Sequence, residues 1–128
     1  RADGLNIGMT ICYDVRFPHL YRALAQAGAE VLMVPSAFAV ATGKAHWETL
    51  LRARAIETGC YVLAPAQWRA HEGRETYGHS LAVDPWGNVL SDLGEGVGVS
   101  YIEIDKNQVL KARKRVPAWG HNQLFEGP

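Results

Sequence analysis

The sequence predicts an α/β fold, and three consecutive stretches carry that prediction. Residues 7–11 are mainly apolar, as in a strand, and apolar residues then recur at helical spacing between Pro18 and Gly28. Residues 31–34 form an unbroken apolar run, which is typical of a strand buried on both faces. A strand, a helix and a second strand in this order imply parallel pairing through a right-handed crossover.

Composition and charge exclude several classes of function. The 128 residues are enough for one domain with a hydrophobic core, and the 13 basic and 13 acidic side chains cancel. This balance removes the electrostatic argument for a nucleic acid or an anionic membrane as partner. The longest apolar runs have the length of strands, so we expect none to span a bilayer.

The number and spacing of the cysteines also limit which kinds of site the sequence predicts. The two cysteines, Cys12 and Cys60, are far apart and form no C-x-x-C motif, so the sequence predicts neither a disulfide framework nor a zinc site. We therefore expect no metal, no cofactor and a reducing, cytoplasmic environment.

Cys12 occupies the position around which the chain is organised. It follows the first predicted strand and precedes Pro18, which fits the first turn of a helix that ends at Gly28. A thiol at a strand-to-helix turn lies at the carboxyl edge of a sheet, where α/β folds bind ligands. The backbone N–H groups of such a turn can stabilise a thiolate and a developing oxyanion. The alternative is that Cys12 is a small buried apolar residue.

The loop after the second strand, residues 36–42, is predicted at the same sheet edge as Cys12. Ser36 and Phe38 are therefore candidates to line a pocket, although a loop serine and a packed phenylalanine are the simpler interpretation. Thr42 is predicted to cap the next helix at its N-terminus, and Gly59 is predicted to end that helix.

The inward face of this helix is predicted to carry an arginine. Arg54 falls on the inward stripe of the helix, which is marked by Trp47, Leu50, Leu51 and Thr58. An unpaired buried charge is very costly, so Arg54 needs an acidic partner. Glu57 lies one turn further along the helix and is the predicted partner, in an ion pair that is structural rather than catalytic.

The middle of the chain is predicted to form short strands separated by turns. Residues 60–66 form a third apolar strand that places Cys60 in the core, and residues 67–78 form a polar loop. A strand resumes at His79, and the Asp-Pro-Trp-Gly-Asn sequence of residues 84–88 predicts a type I turn before a further strand.

The last third is predicted to contain one strand and one helix. Residues 97–101 alternate between large and small or polar side chains, as in a strand with one less buried face. Residues 105–108 resemble a capping box, which predicts a helix through Arg115 that Pro117 ends. Large apolar residues in the tail, Trp119, Leu124 and Phe125, are expected to dock on the rest of the protein.

The residue that would activate a nucleophilic Cys12 is not determined by spacing. A free thiol, with a pKa of ~8.5, is mostly protonated at neutral pH and needs a base or a lowered pKa. His79 begins a predicted strand and His46 lies near the start of a predicted helix. Either histidine can in principle form a Cys–His pair with Cys12, so both alternatives stay open.

Residues 8–18 closely resemble the nucleophile segment of the nitrilase superfamily of carbon–nitrogen hydrolases. The resemblance extends in family order over nearly the whole chain and is greatest toward the deaminated glutathione amidase branch. The other matching segments are Pro35-Ser36-Ala37-Phe38, Thr42-Gly43, His46-Trp47-Glu48, Arg52-Ala53-Arg54-Ala55-Ile56-Glu57, Tyr77-Gly78-His79-Ser80 and Asp84-Pro85-Trp86-Gly87.

This resemblance implies a four-layer α-β-β-α sandwich and a Glu–Lys–Cys catalytic triad. Cys12 matches the nucleophile, which forms a thioester with loss of ammonia, and the backbone N–H of Tyr13 matches an oxyanion donor. The triad Glu and Lys lie upstream of the cysteine in the family, so Glu48 and Glu57 do not match them. Residues 1–128 are accordingly expected to be the carboxyl-terminal portion of a carbon–nitrogen hydrolase domain, inactive by itself.

Arg16 is the candidate for substrate recognition. A guanidinium group binds a carboxylate through two hydrogen bonds, and Arg16 is only four residues from Cys12. Superfamily amidases with carboxylated substrates have an arginine just after the cysteine, so the resemblance implies a small carboxylated amide as substrate. The alternative is that Arg16 pairs with a neighbouring acid and orders the turn.

The sequence therefore predicts the cysteine-bearing half of an amidase. Its expected partners are a small-molecule amide and further copies of itself in a homodimer or higher homo-oligomer. Two alternatives stay open: a Cys–His hydrolase or transferase, and a catalytically incomplete structural or interaction module.

Overall fold

The structure, a computed structural model, describes residues 4–71, 73–122 and 127. Within these residues the strands are β1 (Ile7–Met9), β2 (Val31–Met33), β3 (Tyr61–Ala64), β4 (Trp68–His71), β5 (Arg74–Tyr77), β6 (Leu81–Val83) and β7 (Val89–Asp92). The α-helices are α1 (Pro18–Gln26), α2 (Val40–Thr58) and α3 (Lys106–Arg115), and 3-10 turns cover Cys12–Arg16 and Pro117–Gly120.

Five strands form one mixed sheet in the order β1-β2-β3-β6-β7. The pairs β1–β2 and β2–β3 are parallel, and the sheet continues through two antiparallel pairs to β7. Helix α1 joins β1 to β2, and α2 joins β2 to β3, since parallel neighbours need a crossover connection. The α/β prediction is thus confirmed.

The predicted helix boundaries are confirmed where a local signal sets them. Pro18 is the first residue of α1, where its missing N–H costs nothing. Gly59 follows α2 with a φ of 62°, in the left-handed region that glycine adopts without strain. Asp105 caps α3 by accepting a hydrogen bond from the Asn107 N–H over 2.8 Å.

The main core lies between the sheet and helices α1 and α2. Tyr21 of α1 and Trp47 of α2 are both fully buried there. Leu32 and Val62, on the facing side of the sheet, complete the contact. The opposite sheet face is covered by α3, whose Val109 packs into a second, smaller cluster.

The predicted cap of α2 was wrong. The helix starts at Val40, and Thr42 lies inside its first turn with its hydroxyl donating to the Ala39 carbonyl oxygen over 3.3 Å. Ala39 is held in an extended conformation because it forms an antiparallel bridge with Thr76, so the helix begins at the next residue.

Three expectations for the later part of the chain need correction or qualification. The predicted loop of residues 67–78 contains the two-stranded hairpin β4–β5. Residues 97–101 form no strand, and the side chain of Val97 is 97% exposed. Trp119 docks as expected, with the Arg113 guanidinium 4.5 Å from its ring centroid. Leu124 and Phe125 lie outside the described residues.

None of the helices found in the described ranges is both long enough and apolar enough to cross a bilayer.

Candidate active site

The ends of four neighbouring strands surround a cavity of about 480 Å³. Cys12 follows β1, and the parallel strands β2 and β3 end at the same edge, while β6 begins there because it runs antiparallel. The residues that line the cavity are Ile11, Cys12, Pro35, Ser36, Ala37, Pro65, Ala66, Gln67 and Ser80. This is the sheet edge at which the sequence predicts a ligand site.

Backbone hydrogen bonds connect the loops along this edge. The Cys12 N–H donates to the Pro35 carbonyl oxygen over 2.9 Å, which ties the start of the Cys12–Arg16 turn to the loop after β2. Ser36 continues the connection, since its N–H donates to Pro65 over 3.0 Å and its carbonyl oxygen accepts from Gln67 over 2.8 Å. The cavity wall is therefore built from loop backbones that hold one another in place.

Cys12 has an unusual backbone conformation. Its φ is 44°, in the left-handed region that a residue other than glycine seldom adopts, and it begins the 3-10 turn Cys12–Arg16. The Asp14 carboxylate stabilises this turn by accepting the Ile11 N–H over 2.9 Å. Such strained residues persist only where the surroundings hold them and are concentrated at active sites. The Cys12 side chain is partly exposed, so the thiol is accessible at the cavity.

Arg54 of α2 binds the backbone of the Cys12–Arg16 turn. This guanidinium is 4% exposed and its Nε donates to the Val15 carbonyl oxygen over 2.8 Å. Its Nη1 lies 2.7 Å from the Glu57 carboxylate, which confirms the predicted ion pair. The Tyr21 ring lies against the same guanidinium, 5.6 Å from centroid to Cζ. Arg54 thus links α2 to the segment that presents Cys12.

The backbone N–H of Tyr13 is available for a ligand. Its neighbours Cys12 and Asp14 donate to protein carbonyl oxygens, whereas no atom of the described residues accepts from Tyr13. The first N–H groups of a helical turn have no partner within it and can bind an anion or oxyanion. The geometry is therefore compatible with the donor role that the resemblance implies for Tyr13.

Arg16, the last residue of the Cys12–Arg16 turn, lies against two aromatic rings. Its guanidinium carbon is 5.4 Å from the Tyr13 ring centroid and 5.2 Å from that of Phe38. Its Nη1 donates to His46 Nδ1 over 3.3 Å, so that ring nitrogen is unprotonated. Over the described part of the chain no carboxylate forms an ion pair with Arg16. Arg16 is not among the residues that line the cavity.

The other two pocket candidates, Ser36 and Phe38, lie in different environments. Ser36 lines the cavity, and its hydroxyl donates to the Val34 carbonyl oxygen over 3.1 Å. Phe38 is 4% exposed and packs against Trp47 with 4.8 Å between ring centroids. Phe38 therefore lies in the core beneath Arg16 rather than on the cavity wall.

Both histidine candidates have other partners, and neither lines the cavity. His46 accepts from Arg16, and His79 Nδ1 lies 3.0 Å from the Asp92 carboxylate. Cys12 is the only titratable residue in the cavity lining that the structure describes.

Cys60 lies in a very different environment from Cys12. It is fully buried, and its Sγ lies 3.1 Å from Arg113 Nη2 and 3.3 Å from the Ala29 carbonyl oxygen. Burial raises the pKa of the Cys60 thiol, which outweighs the opposing effect of the Arg113 charge. The prediction that Cys60 is a core residue is confirmed.

Across residues 4–71, 73–122 and 127, no group of three or more His, Cys, Asp and Glu side chains is arranged to hold an ion.

Sequence reasoning missed several residues of the cavity. Residues 65–67 follow β3, and the edge rule for parallel strands is the signal that would have placed them beside Cys12. Ser80 lies in the segment Tyr77-Gly78-His79-Ser80, which carries part of the family resemblance but to which no role was assigned. Its position depends on the antiparallel return of β6, which no local pattern predicts.

Comparison with known proteins identifies the family. The family model of carbon–nitrogen hydrolases matches residues 2–114. The chain belongs to the carbon–nitrogen hydrolase family. The deaminated glutathione amidase of Bos taurus is 57% identical over 118 residues, which cover 91% of this chain and 36% of the bovine protein. The chain thus spans about a third of the length of this relative.

Solved structures confirm the nitrilase-type fold for this member of the carbon–nitrogen hydrolase family. The crystal structure of the Caenorhabditis elegans NitFhit protein matches with a TM-score of 0.87 and 50% identity, over 91% of this chain and 29% of that one. A mutant amidase from Nesterenkonia sp. AN1, in which acrylamide has undergone Michael addition at the active site cysteine, matches with a TM-score of 0.74 and 30% identity. That match covers 91% of this chain and 46% of the amidase.

Proposed function

We propose that the complete protein containing this chain is an amidase that hydrolyses a small carboxylated amide, with Cys12 as the nucleophile. One observation carries this proposal. Cys12 is held in a left-handed conformation at a strand end, on a cavity of about 480 Å³, and the adjacent Tyr13 N–H has no acceptor among the residues that the structure describes. That arrangement places an accessible thiol and a candidate oxyanion donor on consecutive residues. The amidase names of the relatives support it.

The proposed reaction has two steps. In the first, the Cys12 sulfur attacks the amide carbonyl carbon, a C–S bond forms, and the carbonyl oxygen becomes an oxyanion that accepts from the Tyr13 N–H. The C–N bond then breaks, and the nitrogen takes up a proton and leaves as ammonia. In the second step, water attacks the thioester, the C–S bond breaks, and the carboxylic acid is released with the thiol restored.

Proton transfer in this scheme needs groups that the cavity wall does not supply. Cys12 is the only titratable side chain in the described lining, and thiol activation and ammonia release both require a base or an acid. We assign these tasks to the Glu and Lys that the family resemblance places upstream of the cysteine. This chain is then the carboxyl-terminal portion of the hydrolase domain.

The carboxylated substrate is inferred from Arg16. Its guanidinium has no carboxylate partner in the parts of the chain that the structure describes, so the structural alternative of a neighbouring acid gains no support. The rings of Tyr13 and Phe38 and the His46 nitrogen hold it in place, and its other N–H donors have no hydrogen-bond partner among the described residues. Although Arg16 does not line the cavity, it lies on the same 3-10 turn as Cys12, and its fork of N–H donors fits a substrate carboxylate.

Selective alkylation of the two cysteines tests the nucleophile. In the complete protein, limiting iodoacetamide is expected to modify Cys12 before Cys60, because burial raises the pKa of the Cys60 thiol and shields it. Mass mapping is expected to show that amidase activity falls in proportion to Cys12 modification. Cys12→Ala should reduce turnover to background, whereas the matched control Cys60→Ala should retain it.

Two outcomes would contradict this assignment. Preferential labelling of Cys60, or turnover by the Cys12→Ala protein, would show that the nucleophile is another group. The alternative Cys–His mechanism is tested by His46→Ala and His79→Ala, since under that mechanism one of the two substitutions should abolish activity. The expected small-molecule substrate, cytoplasmic location and homo-oligomer stay predictions.

A further inference from the structure

His79, the residue before Ser80 of the cavity lining, has a strained backbone. Its φ is 54°, in the left-handed region. Its N–H donates to the Gly94 carbonyl oxygen over 2.8 Å, and its carbonyl oxygen accepts the Trp47 indole N–H over 2.8 Å. A conformation of this kind persists only where surrounding contacts hold it. The contacts of the His79 side chain are therefore candidates for what stabilises this backbone.

The His79 ring is fixed on two sides. Its Nδ1 lies 3.1 and 3.0 Å from the two oxygens of the Asp92 carboxylate. Because a carboxylate only accepts hydrogen bonds, Nδ1 carries the proton. The Tyr77 ring stacks on His79 with 4.2 Å between centroids and 17° between planes. Asp92 also accepts the Gly94 N–H over 2.8 Å, so one carboxylate ties residue 79 to the end of β7.

Ser80 connects this cluster to the cavity. Its hydroxyl accepts the Ala66 N–H over 2.9 Å and lies 3.3 Å from the Ala66 carbonyl oxygen. Ser80, Ala66 and Gln67 line the same cavity as Cys12, whereas His79 and Asp92 do not. The backbone direction at residue 79 decides where the next side chain points, and therefore whether the Ser80 hydroxyl reaches Ala66.

We propose that the Asp92–His79 pair is a positioning device for the active site. It holds residue 79 in its left-handed conformation, which places the Ser80 hydroxyl on Ala66 and thereby fixes the Ala66–Gln67 backbone in the cavity wall. Asp92 and His79 are positioning residues that act through Ser80. The activity readout of this inference rests on the proposed amidase function.

A double-mutant cycle between Asp92 and Ser80 in the complete protein tests the proposal. Asp92→Ala and Ser80→Ala are each expected to lower kcat/KM by about 10- to 100-fold, since a misplacement of about 1 Å costs up to ~10²-fold. If Asp92 acts through Ser80, the double variant should lose no more activity than Ser80→Ala alone. Asp92→Asn keeps an acceptor oxygen for His79, so it should retain most of the kcat/KM that Asp92→Ala loses.

A matched control separates positioning from general stability. Asp84 lies in the turn at the other end of the β6–β7 pair, and its carboxylate accepts from the Trp86 N–H, the Asn88 N–H and the Asn88 side-chain amide. Asp84→Ala is therefore expected to lower the melting temperature about as much as Asp92→Ala while leaving kcat/KM unchanged. Additive losses in the cycle, or an unchanged kcat/KM for Asp92→Ala, would overturn the proposal.

A second readout keeps this inference distinct from the proposed function. Iodoacetamide carries a carboxamide group that must enter the cavity, so its rate of reaction with Cys12 reports on the cavity wall without requiring turnover. The same non-additive losses are expected in the Cys12 alkylation rates of the Asp92→Ala, Ser80→Ala and double variants. If the wild-type protein hydrolyses no amide, the proposed function fails, and the alkylation cycle still decides whether Asp92 acts through Ser80.

Discussion

At the scale of single residues, Arg16 shows what chain proximity predicts and what it leaves open. Its four-residue separation from Cys12 placed it beside the nucleophile, and the structure holds it on the same 3-10 turn. The partners that position it come from elsewhere in the chain: Phe38 from the loop after β2 and His46 from α2. Its guanidinium is held by rings and a neutral nitrogen, which leaves its charge uncompensated within the described residues.

Arg16→Lys is the sharpest test of substrate choice. The substitution keeps the positive charge but removes the fork that binds a carboxylate through two bonds. A hydrogen bond to a charged group contributes about 1.5–3 kcal/mol, so kcat/KM for carboxylated amides should fall by about 10- to 100-fold. Neutral amides of the same size should lose much less. Steady-state kinetics on matched pairs of amides measures the difference.

The control for this prediction is Arg52→Lys. Arg52 is an exposed arginine of α2 that pairs with Glu48 at 3.3 Å and does not line the cavity. Arg52→Lys is expected to leave kcat/KM unchanged for both carboxylated and neutral amides. An equal loss on carboxylated and neutral amides in Arg16→Lys would favour a structural role for Arg16.

At the scale of secondary structure, the packing of α2 against the hairpin β4–β5 is the feature that local patterns do not show. The polar sequence of residues 67–78 predicted a loop, yet the hairpin pairs Trp68 with Tyr77 and bridges to Ala39 through Thr76. Gly43 of α2 lies directly under Tyr77, and a Cβ at Gly43 would lie 2.4 Å from the Tyr77 ring. Because residue 43 has no side chain, the hairpin can pack directly against α2.

Gly43→Ala is therefore expected to destabilise the protein although alanine is the better helix former. The gain in helix propensity is at most ~1 kcal/mol, whereas overpacking a filled contact costs about 1–3 kcal/mol. We expect a net loss in the free energy of unfolding, measured by urea denaturation of the complete protein. The displaced Tyr77 ring should also disturb its stacking on His79.

Gly120→Ala provides the comparison for this substitution. A Cβ at Gly120, in the second 3-10 turn, meets no atom within 4 Å among the residues described. The free energy of unfolding of the Gly120→Ala protein should therefore differ little from that of the wild type. A Gly43→Ala protein as stable as the wild type would show that the hairpin and α2 are not in the close contact described.

At the scale of the whole molecule, α3 covers one end of the second sheet face, and at the other end the described residues leave apolar side chains exposed. Val109 of α3 packs there against Val31 and Tyr61. At the other end Met9 and Ile11 are each 65% exposed, and a further cavity of about 290 Å³ opens beside Met33. Exposed apolar sheet surface of this kind marks an interaction face or an aggregation risk.

The 128-residue chain by itself is expected to have no appreciable amidase activity. The described cavity wall offers no base, which is typically worth ~10²–10⁴-fold in rate, and Cys12 is its single titratable group. The open sheet face should also make the isolated chain aggregate or bind the rest of its domain. Assays of the chain alone, and then with the upstream portion added in trans, measure both effects.

Turnover by the isolated chain that depends on Cys12 would contradict this expectation. It would return the Cys–His alternative, with His46 as the first residue to replace. Recovery of activity only in the presence of the upstream portion would agree with the proposed triad.

The sequence by itself determined the alternation of β1, α1 and β2, the helix boundaries at Pro18, Gly59 and Asp105, and the ion pair between Arg54 and Glu57. These features depend on backbone preferences and side-chain contacts within a few residues, which a linear pattern contains. Tertiary structure alone decided the left-handed conformations of Cys12 and His79, the hairpin that closes on Gly43, and the return of Ser80 to the cavity. Each of these depends on partners tens of residues away along the chain, and only the folded sheet brings such partners to one edge.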